Sequence, residues 1–447
     1  MKSSRKFTYD DYRHDMPPRV FGSETEYTTD SDIQSVFHDN WMEGTYGEDL
    51  ARFANPENLL AYDDDGGHKE FWLTTGGKLY FDVGTLEYAT PECISPDQLV
   101  LHERAGEQIV VDFVQQMARE LERPARVSKR SGFALVEKND EVLMKEDSLG
   151  HHENYSSINL ISNMKLSPGP EAISRQLNAV PEVRGFSDFL ALRKLFDGMG
   201  MVGYYGYSIS QKPSAINYRG FTGTLAHGNK MPFKQQSGRL EVRTGEGNKS
   251  DFVNRLKFGL TSLVIRLLEH GEYPQNLLLA YPNKAVQKIS ANPHADVELE
   301  SGFVTKGISV LRGIVEAAVE LHRKFPNAPK YELQAAEDFL TFCEDLNNVS
   351  LADGDVRALA DRIDWAARFQ HLQNLSATYR TLNTDNLRIV REDLLWDMLG
   401  KPDNARQQYA KFGHTALEVA MPKSPESRAR VRSKLARNCS EQANCAT

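Results

Sequence analysis

The chain has 447 residues, 40% of them hydrophobic and 26% charged, with a formal net charge of -9. That length allows roughly three domains, or one large sheet with its covering helices. A mean hydropathy of -0.51, with no apolar run of the roughly 18 residues a membrane span needs, excludes a transmembrane helix. The acid excess argues against nucleic acid as a partner, because affinity for phosphate backbones comes from clustered Lys and Arg. The charged stretch 1–18 lacks the apolar segment of a secretion signal, so the expected address is cytoplasmic. Cys93, Cys343, Cys439 and Cys445 have neither zinc-site spacing nor disulfide density, and free thiols are expected.

In chain order, Gly22-Ser23-Glu24-Thr25-Glu26-Tyr27 reads as a strand. Side chains two apart share a side of a strand, so Glu24 and Glu26 point the same way and repel unless a cation sits between them. Lys78-Leu79-Tyr80-Phe81-Asp82-Val83 alternates cleanly, with Lys78, Tyr80 and Asp82 opposite the apolar set Leu79, Phe81 and Val83. A helix is predicted from Ser95-Pro96-Asp97-Gln98 to about Glu122, with Ser95 as cap, Pro96 in the first turn and Gln98 completing a capping box. In His151-His152-Glu153-Asn154-Tyr155, His151, Glu153 and Tyr155 share a side. In Arg239-Leu240-Glu241-Val242-Arg243, the charged triplet opposes Leu240 and Val242.

A second helix opens near Ser250, carries Leu256, Leu260, Leu263, Val264 and Leu267 on one stripe with a polar opposite face, and ends at Gly271. Further helical spacing covers about 306–325, 331–346 and 355–373. Strands before residue 245 and helices after it predict an α+β chain, an antiparallel sheet with helices packed on one face. Residues 1–376 form the main domain in this reading. Residues 377–447, with a basic run from Arg428 to Arg437, form a small C-terminal domain, which the family resemblance described below implies is truncated. The run reads either as a solvated helix face or as a docking surface for an acidic, disordered partner.

The four polar strand faces taken together read as a metal and phosphate site. The carboxylates of Glu24, Glu26, Glu87, Glu153 and Glu241 are hard oxygen donors that suit Mg²⁺. Arg239 and Arg243 suit bidentate contacts to phosphate oxygens. No Gly-x-x-x-x-Gly-Lys-Ser/Thr loop occurs, so a nucleotide would be held by metals on a sheet. His151, His152 and His227 stay open between metal ligation and hydrogen bonding.

The Arg-x-Glu-x-Arg strand at 239–243 and the Gly-Ser-Glu-Thr-Glu-Tyr strand at 22–27 resemble those of the glutamine synthetase-like carboxylate-amine ligases. More narrowly, the chain resembles the Pup ligase and depupylase family. The residues that carry this are Gly76-Gly77-Lys78-Leu79-Tyr80-Phe81-Asp82-Val83-Gly84, Glu87-Tyr88-Ala89-Thr90-Pro91-Glu92-Cys93, Arg104-Ala105-Gly106-Glu107, Lys138-Asn139, Gly150 to Tyr155 and Asp364-Trp365-Ala366-Ala367. The resemblance implies a glutamine synthetase-like fold, with ATP and Mg²⁺ as cofactors and Pup and lysine-bearing proteins as partners. In such a reaction the side-chain carboxylate of the C-terminal Glu of Pup is phosphorylated and a protein lysine then attacks it to give an isopeptide bond. Carried over by position, Glu24, Tyr80 and Glu87 become metal ligands, Asp82 the catalytic base, and Lys78 and Thr90 nucleotide contacts. Glu153 and Glu241 become further ligands by the broader superfamily pattern.

The stretch from Tyr27 to Thr75 leaves no room for the long insertion of depupylases, which favours the ligase branch. Lys78 replaces the family's Arg, Glu241 replaces its His, and 222–230 replaces an expected Thr-Arg-Asp-Glu-Pro-His-Ala-Asp motif. Two alternatives stand beside the ligase: a depupylase, deamidase or phosphatase-like hydrolase at the same ATP and Mg²⁺ site, and a nucleotide-binding paralogue without catalysis.

Overall fold

The structure is a computed structural model that describes residues 16, 18–29, 59–65, 68–73, 75–82, 85–122, 126–129, 134–138, 141–145, 150–157, 175–203, 206–220, 231–236, 238–375, 382 and 387–399. Contacts divide the chain into two units, one of 1–20 with 153–390 and one of 21–152 with 391–447. The expected boundary at 376–377, the basic run at 428–437, His227, Cys439 and Cys445 lie outside the described residues.

The 21–152 unit is built on antiparallel strands. They are β1 (Phe21–Thr29), β2 (Leu59–Asp65), β3 (His68–Leu73), β4 (Lys78–Asp82) and β5 (Thr85–Ala89), side by side in the order β1-β5-β4-β3-β2. Alternation decides the two faces. Tyr27, Leu79, Phe81, Leu86 and Tyr88 are buried in one cluster with Ile109, Val110, Phe113, Val114 and Met117 of helix α1 (Pro96–Glu120). Burying these side chains is what fixes the register, since a one-residue slip would send the whole apolar set to the opposite face.

Helix α1 starts where the sequence places it. Ser95 accepts from the Gln98 N–H at 3.2 Å, while the Gln98 side chain reaches back to the Ile94 N–H at 3.1 Å, one residue before the cap. Short strands β6 (Val127–Ser128), β7 (Ala134–Lys138) and β8 (Glu141–Lys145) follow, with β6 paired to the end of β1 and β7 to β8.

Behind the sheet, Glu107 of α1 accepts from Arg104 at 2.8 Å and also from Lys129. Burial alone would raise its pKa, but the two cations reverse that and hold it down at about 2. A carboxylate depressed in the folded state lends stability above its ordinary pKa and loses it as pH falls from there towards the folded value. Glu107→Gln is therefore expected to cost roughly 3 kcal/mol near neutral pH, and to flatten the acid limb of stability between about pH 4.5 and pH 2. Denaturant midpoints across that range check it.

The strand β9 (His151–Ser156) carries the chain from one unit to the other. In the 153–390 unit, α2 (Pro181–Leu192), α3 (Lys194–Asp197), the hairpins β10 (Met201–Gly203) with β11 (Gly206–Ser208) and β12 (Phe233–Gln236) with β13 (Arg239–Gly245), and then α4 (Asp251–Glu269) follow. After α4 come α5 (Pro282–Ala291), β14 (Asp296–Glu298), β15 (Val304–Lys306), α6 (Gly307–Arg323), α7 (Lys330–Leu346) and α8 (Asp364–Leu375). Cys93 and Cys343 are free and buried.

Ser250 caps α4 by accepting from the Val253 N–H at 3.2 Å, and Gly271 at φ +69 ends it, as the spacing predicts. The polar side of α4 departs from the solvated face such a pattern usually marks, because it is buried as well. Lys257 donates to Asn248 at 3.1 Å, Thr261 accepts from Arg193 at 2.9 Å, and Ser262 and Arg266 share Glu332. The helix expected from 355 starts at Asp364. Asp355 to Ile363 instead makes single turns, with Ala360 N–H on Val356 and Ile363 N–H on Leu359. Among the described residues no helix is long and apolar enough to cross a membrane.

Candidate active site

The solvent-side face of β1, β5 and β4 carries its functional groups in rows, because directly opposite residues of antiparallel strands project to the same side. One row runs Glu26, Glu87, Tyr80 and the next runs Glu24, Ala89, Lys78, with Asp82 opposite Thr85 beyond them. The alternation in Lys78–Asp82 thus lands on the side opposite the core.

Within this face Glu24, Glu87 and His152 bring one donor atom each within 4.8 Å of one another, and so do Glu26, Asp82 and Glu87. Glu87 belongs to both groups and is 2% exposed, whereas Asp82 is exposed. Burial, then the neighbouring charges of Glu26 and Glu24, push the Glu87 carboxyl well above its ordinary pKa. Tyr80 donates its hydroxyl to Glu87 Oε1 at 2.6 Å, and burial followed by the Glu87 charge raises its pKa strongly. Tyr80 therefore sits in the site as a protonated donor that fixes the rotamer of Glu87.

Glu26 is aimed by backbone. Its Oε2 accepts from the Gly150 N–H at 2.6 Å, while its own N–H donates to the Gly150 carbonyl at 3.0 Å. A Cβ at 150 would lie 2.5 Å from Glu26 Oε1 and 2.7 Å from His152 Nε2, so a larger residue there would push both side-chain ends out of this arrangement. On the buried side, Thr25 Oγ1 and His151 Nδ1 are 2.9 Å apart, which locks β1 against the 150–152 segment. His152, open in the sequence between metal ligation and hydrogen bonding, places Nδ1 3.6 Å from Glu24 Oε2.

Lys78 Nζ lies 4.3 Å from the centre of the Trp72 ring. Thr90 clips the end of β5 to β1: its N–H donates to the Ser23 carbonyl and its hydroxyl oxygen accepts from the Ser23 N–H, both at 2.9 Å.

The remaining candidate residues belong to the other unit and have partners there. Glu153 is fully buried, accepts from both terminal nitrogens of Arg193, and takes the Tyr155 hydroxyl at 2.5 Å. Glu241 accepts from Arg239 at 3.0 Å and from Arg243 at 2.5 Å, with Arg239 about half exposed.

Four carboxylates and an imidazole in two overlapping groups that share Glu87, itself buried against two like charges, fit a hard divalent cation. Such a set is costly to fold without one.

A family model described as Pup-ligase protein matches residues 19–447. The chain is 28% identical to a Pup deamidase/depupylase of Mycolicibacterium smegmatis over 73% of this chain and 62% of that protein. It is 26% identical to a Pup--protein ligase of Micrococcus luteus over 94% of this chain and 88% of that protein. It therefore spans less than two thirds of the depupylase and most of the ligase. Among solved structures, a complex of the prokaryotic ubiquitin-like protein Pup with its ligase PafA matches with a TM-score of 0.67 and 20% identity, covering 96% of this chain and 84% of that one. The Pup ligase PafA with ADP matches with a TM-score of 0.60 and 21% identity, covering 82% and 79%. These two likenesses show the fold, and the match from residue 19 to residue 447 places the chain in the Pup-ligase protein family.

Proposed function

We propose that the protein is an ATP- and Mg²⁺-dependent carboxylate-amine ligase that joins the C-terminal glutamate of Pup, or of a Pup-like modifier, to the side-chain amine of a lysine on another protein. The observation that carries this reading is the juxtaposition of exposed Asp82 with the buried carboxylate Glu87 on one sheet face.

Glu24, Glu26, Glu87 and His152 are the residues proposed to hold Mg²⁺, with Tyr80 orienting Glu87 by its hydroxyl hydrogen. A bound cation there would neutralise phosphate charge. Glu153 and Glu241, each held by arginine, are proposed to organise their own unit, while Arg239 and Arg243 keep phosphate binding as their proposed role. Thr90 keeps a proposed nucleotide contact through its hydroxyl hydrogen.

In the reaction an oxygen of the side-chain carboxylate of the modifier's C-terminal glutamate bonds to the γ-phosphorus of ATP and ADP leaves. The lysine nitrogen then bonds to the acyl carbon, phosphate leaves, and the ammonium proton goes to Asp82. A lysine with pKa about 10.4 is about one part in a thousand neutral near pH 7.4, a deficit of roughly 4 kcal/mol that a carboxylate within reach offsets. An exposed carboxylate suits a proton that arrives with an incoming protein.

The test is incubation with Mg-ATP, Pup ending in Glu and lysine-bearing proteins, following adduct mass and phosphate together. Adducts with matching phosphate release are expected. Cleavage of preformed adducts without their formation would move the chain to the depupylase reading that its 28% identical relative suggests. Phosphate release with neither would remove Pup as substrate.

A further inference from the structure

On the sheet face of the site, the row Glu24, Ala89, Lys78 continues one strand further, because Lys78 of β4 is directly paired with Trp72 of β3. Strands stand roughly 4.8 Å apart, so Glu24 and Lys78 lie about 10 Å apart across β5, with Trp72 one strand beyond Lys78. Ala89 contributes only a methyl group to the row between them. No side chain of β5 therefore rises between the Glu24 carboxylate and the Lys78 ammonium in this row.

A lysine is a poor way to hold a fixed charge. Its ammonium sits on a flexible stem and gives three donors with no preferred plane, so its rotamer freedom opposes any single position over a sheet. Here Nζ is 4.3 Å from the centre of the Trp72 ring, well inside the distance at which an indole face attracts a cation. Both side chains are half-buried, where such a contact is less weakened by water than on an open surface.

We propose that Trp72 is a positioning residue that holds the Lys78 ammonium over the sheet, so that a polyphosphate spanning from the Glu24 end of the row meets a charge already in place. The inference rests on the nucleotide reading above and deepens it. Lys78 supplies the charge, and Trp72 acts through it without touching the nucleotide.

Two measurements on the full chain test this. In the first, MgADP is titrated calorimetrically into the wild type, Trp72→Leu, Trp72→Phe, Lys78→Met and the double variant Trp72→Leu with Lys78→Met. Trp72→Leu should weaken binding by about 5- to 30-fold, Trp72→Phe by less than about threefold because a ring face remains, and Trp72→Leu added to Lys78→Met by less than about twofold. An equal loss from Trp72→Leu with and without Lys78 would overturn the proposal, since Trp72 would then act on the nucleotide or on the strand itself.

The second measurement needs no nucleotide. The Lys78 side-chain CεH₂ resonance of the free protein should be shifted upfield by the indole ring, remain shifted in Trp72→Phe, and return to its ordinary position in Trp72→Leu. An unshifted resonance in the wild type overturns the proposal. A wild type that shows the shift but does not bind MgADP instead overturns the nucleotide reading, and with it any role for the contact in holding phosphate.

Discussion

Asp82→Asn is expected to lower the rate of isopeptide formation by roughly 10²–10⁴-fold at neutral pH, the range that a positioned general base contributes. The geometry allows a second account, because Asp82 also stands with Glu26 and Glu87 in a group that could hold a metal ion. The two accounts separate by step. If Asp82 takes the amine's proton, the variant still activates the carboxylate, and hydroxylamine, a nucleophile that is neutral at pH 7, traps the acyl phosphate as a hydroxamate at close to the wild-type rate. If Asp82 is needed chiefly for the cation, hydroxamate and isopeptide fall together.

The pH profile supplies an independent check. Without a base the variant depends on the neutral fraction of the lysine. Its rate should then rise about tenfold per pH unit towards the lysine pKa of about 10.4 and approach that of the wild type at the alkaline end. A variant that conjugates normally at pH 7 removes Asp82 from proton transfer altogether.

How far such a site can be read from sequence depends on whether apolar residues fix the strand's orientation. In Lys78-Leu79-Tyr80-Phe81-Asp82 they do: Leu79 and Phe81 must enter the core, so Lys78, Tyr80 and Asp82 must face away from it. Glu24 and Glu26 follow in the same way from Phe21 and Tyr27, which are buried on the other side of β1. In His151-His152-Glu153-Asn154-Tyr155-Ser156 both sides are polar. Alternation tells which residues share a side and leaves open which side is buried. The structure buries His151, Glu153 and Tyr155, so His152 joins Glu24, and Glu153 meets Arg193.

The helices show the same division. Caps are local, and Ser95, Ser250 and Gly271 mark helix ends where the sequence puts them. The partners of Thr261 and Arg266 come from remote segments, so a polar helix face written in sequence does not distinguish water from a buried Glu332. At 355–363 the apolar spacing of Val356, Leu359 and Ile363 is real, and all three are buried, but consecutive turns satisfy it as well as a helix does. The helix waits for Asp364, whose carboxylate accepts from the Lys249 and Ser250 N–H groups at 2.9 and 3.2 Å.

Glu87→Gln should raise the stability of the protein in the absence of divalent cations and abolish most of the stabilisation that Mg²⁺ gives the wild type. Burial, Glu26 and Glu24 all resist ionisation of Glu87, so its folded-state pKa stands above its unfolded one. Folding then favours the protonated form. The resulting cost is absent below the ordinary carboxylate range, grows as pH climbs towards the raised value, and is present at neutral pH. Glutamine removes that cost and can still accept the Tyr80 hydroxyl hydrogen. It also removes the one carboxylate shared by both donor groups, so the apparent Mg²⁺ affinity should fall by at least about 10- to 100-fold. A ligand stabilises a fold in proportion to the logarithm of its concentration over its dissociation constant. Melting temperatures read against Mg²⁺ concentration should therefore cross, with the variant higher in chelator and the wild type higher in millimolar Mg²⁺. His152→Gln, which touches one group only, should keep part of the response. A Glu87→Gln protein that melts lower in chelator and climbs with Mg²⁺ as steeply as the wild type would make Glu87 a structural acid, and the cation would then have to be sought elsewhere on the sheet.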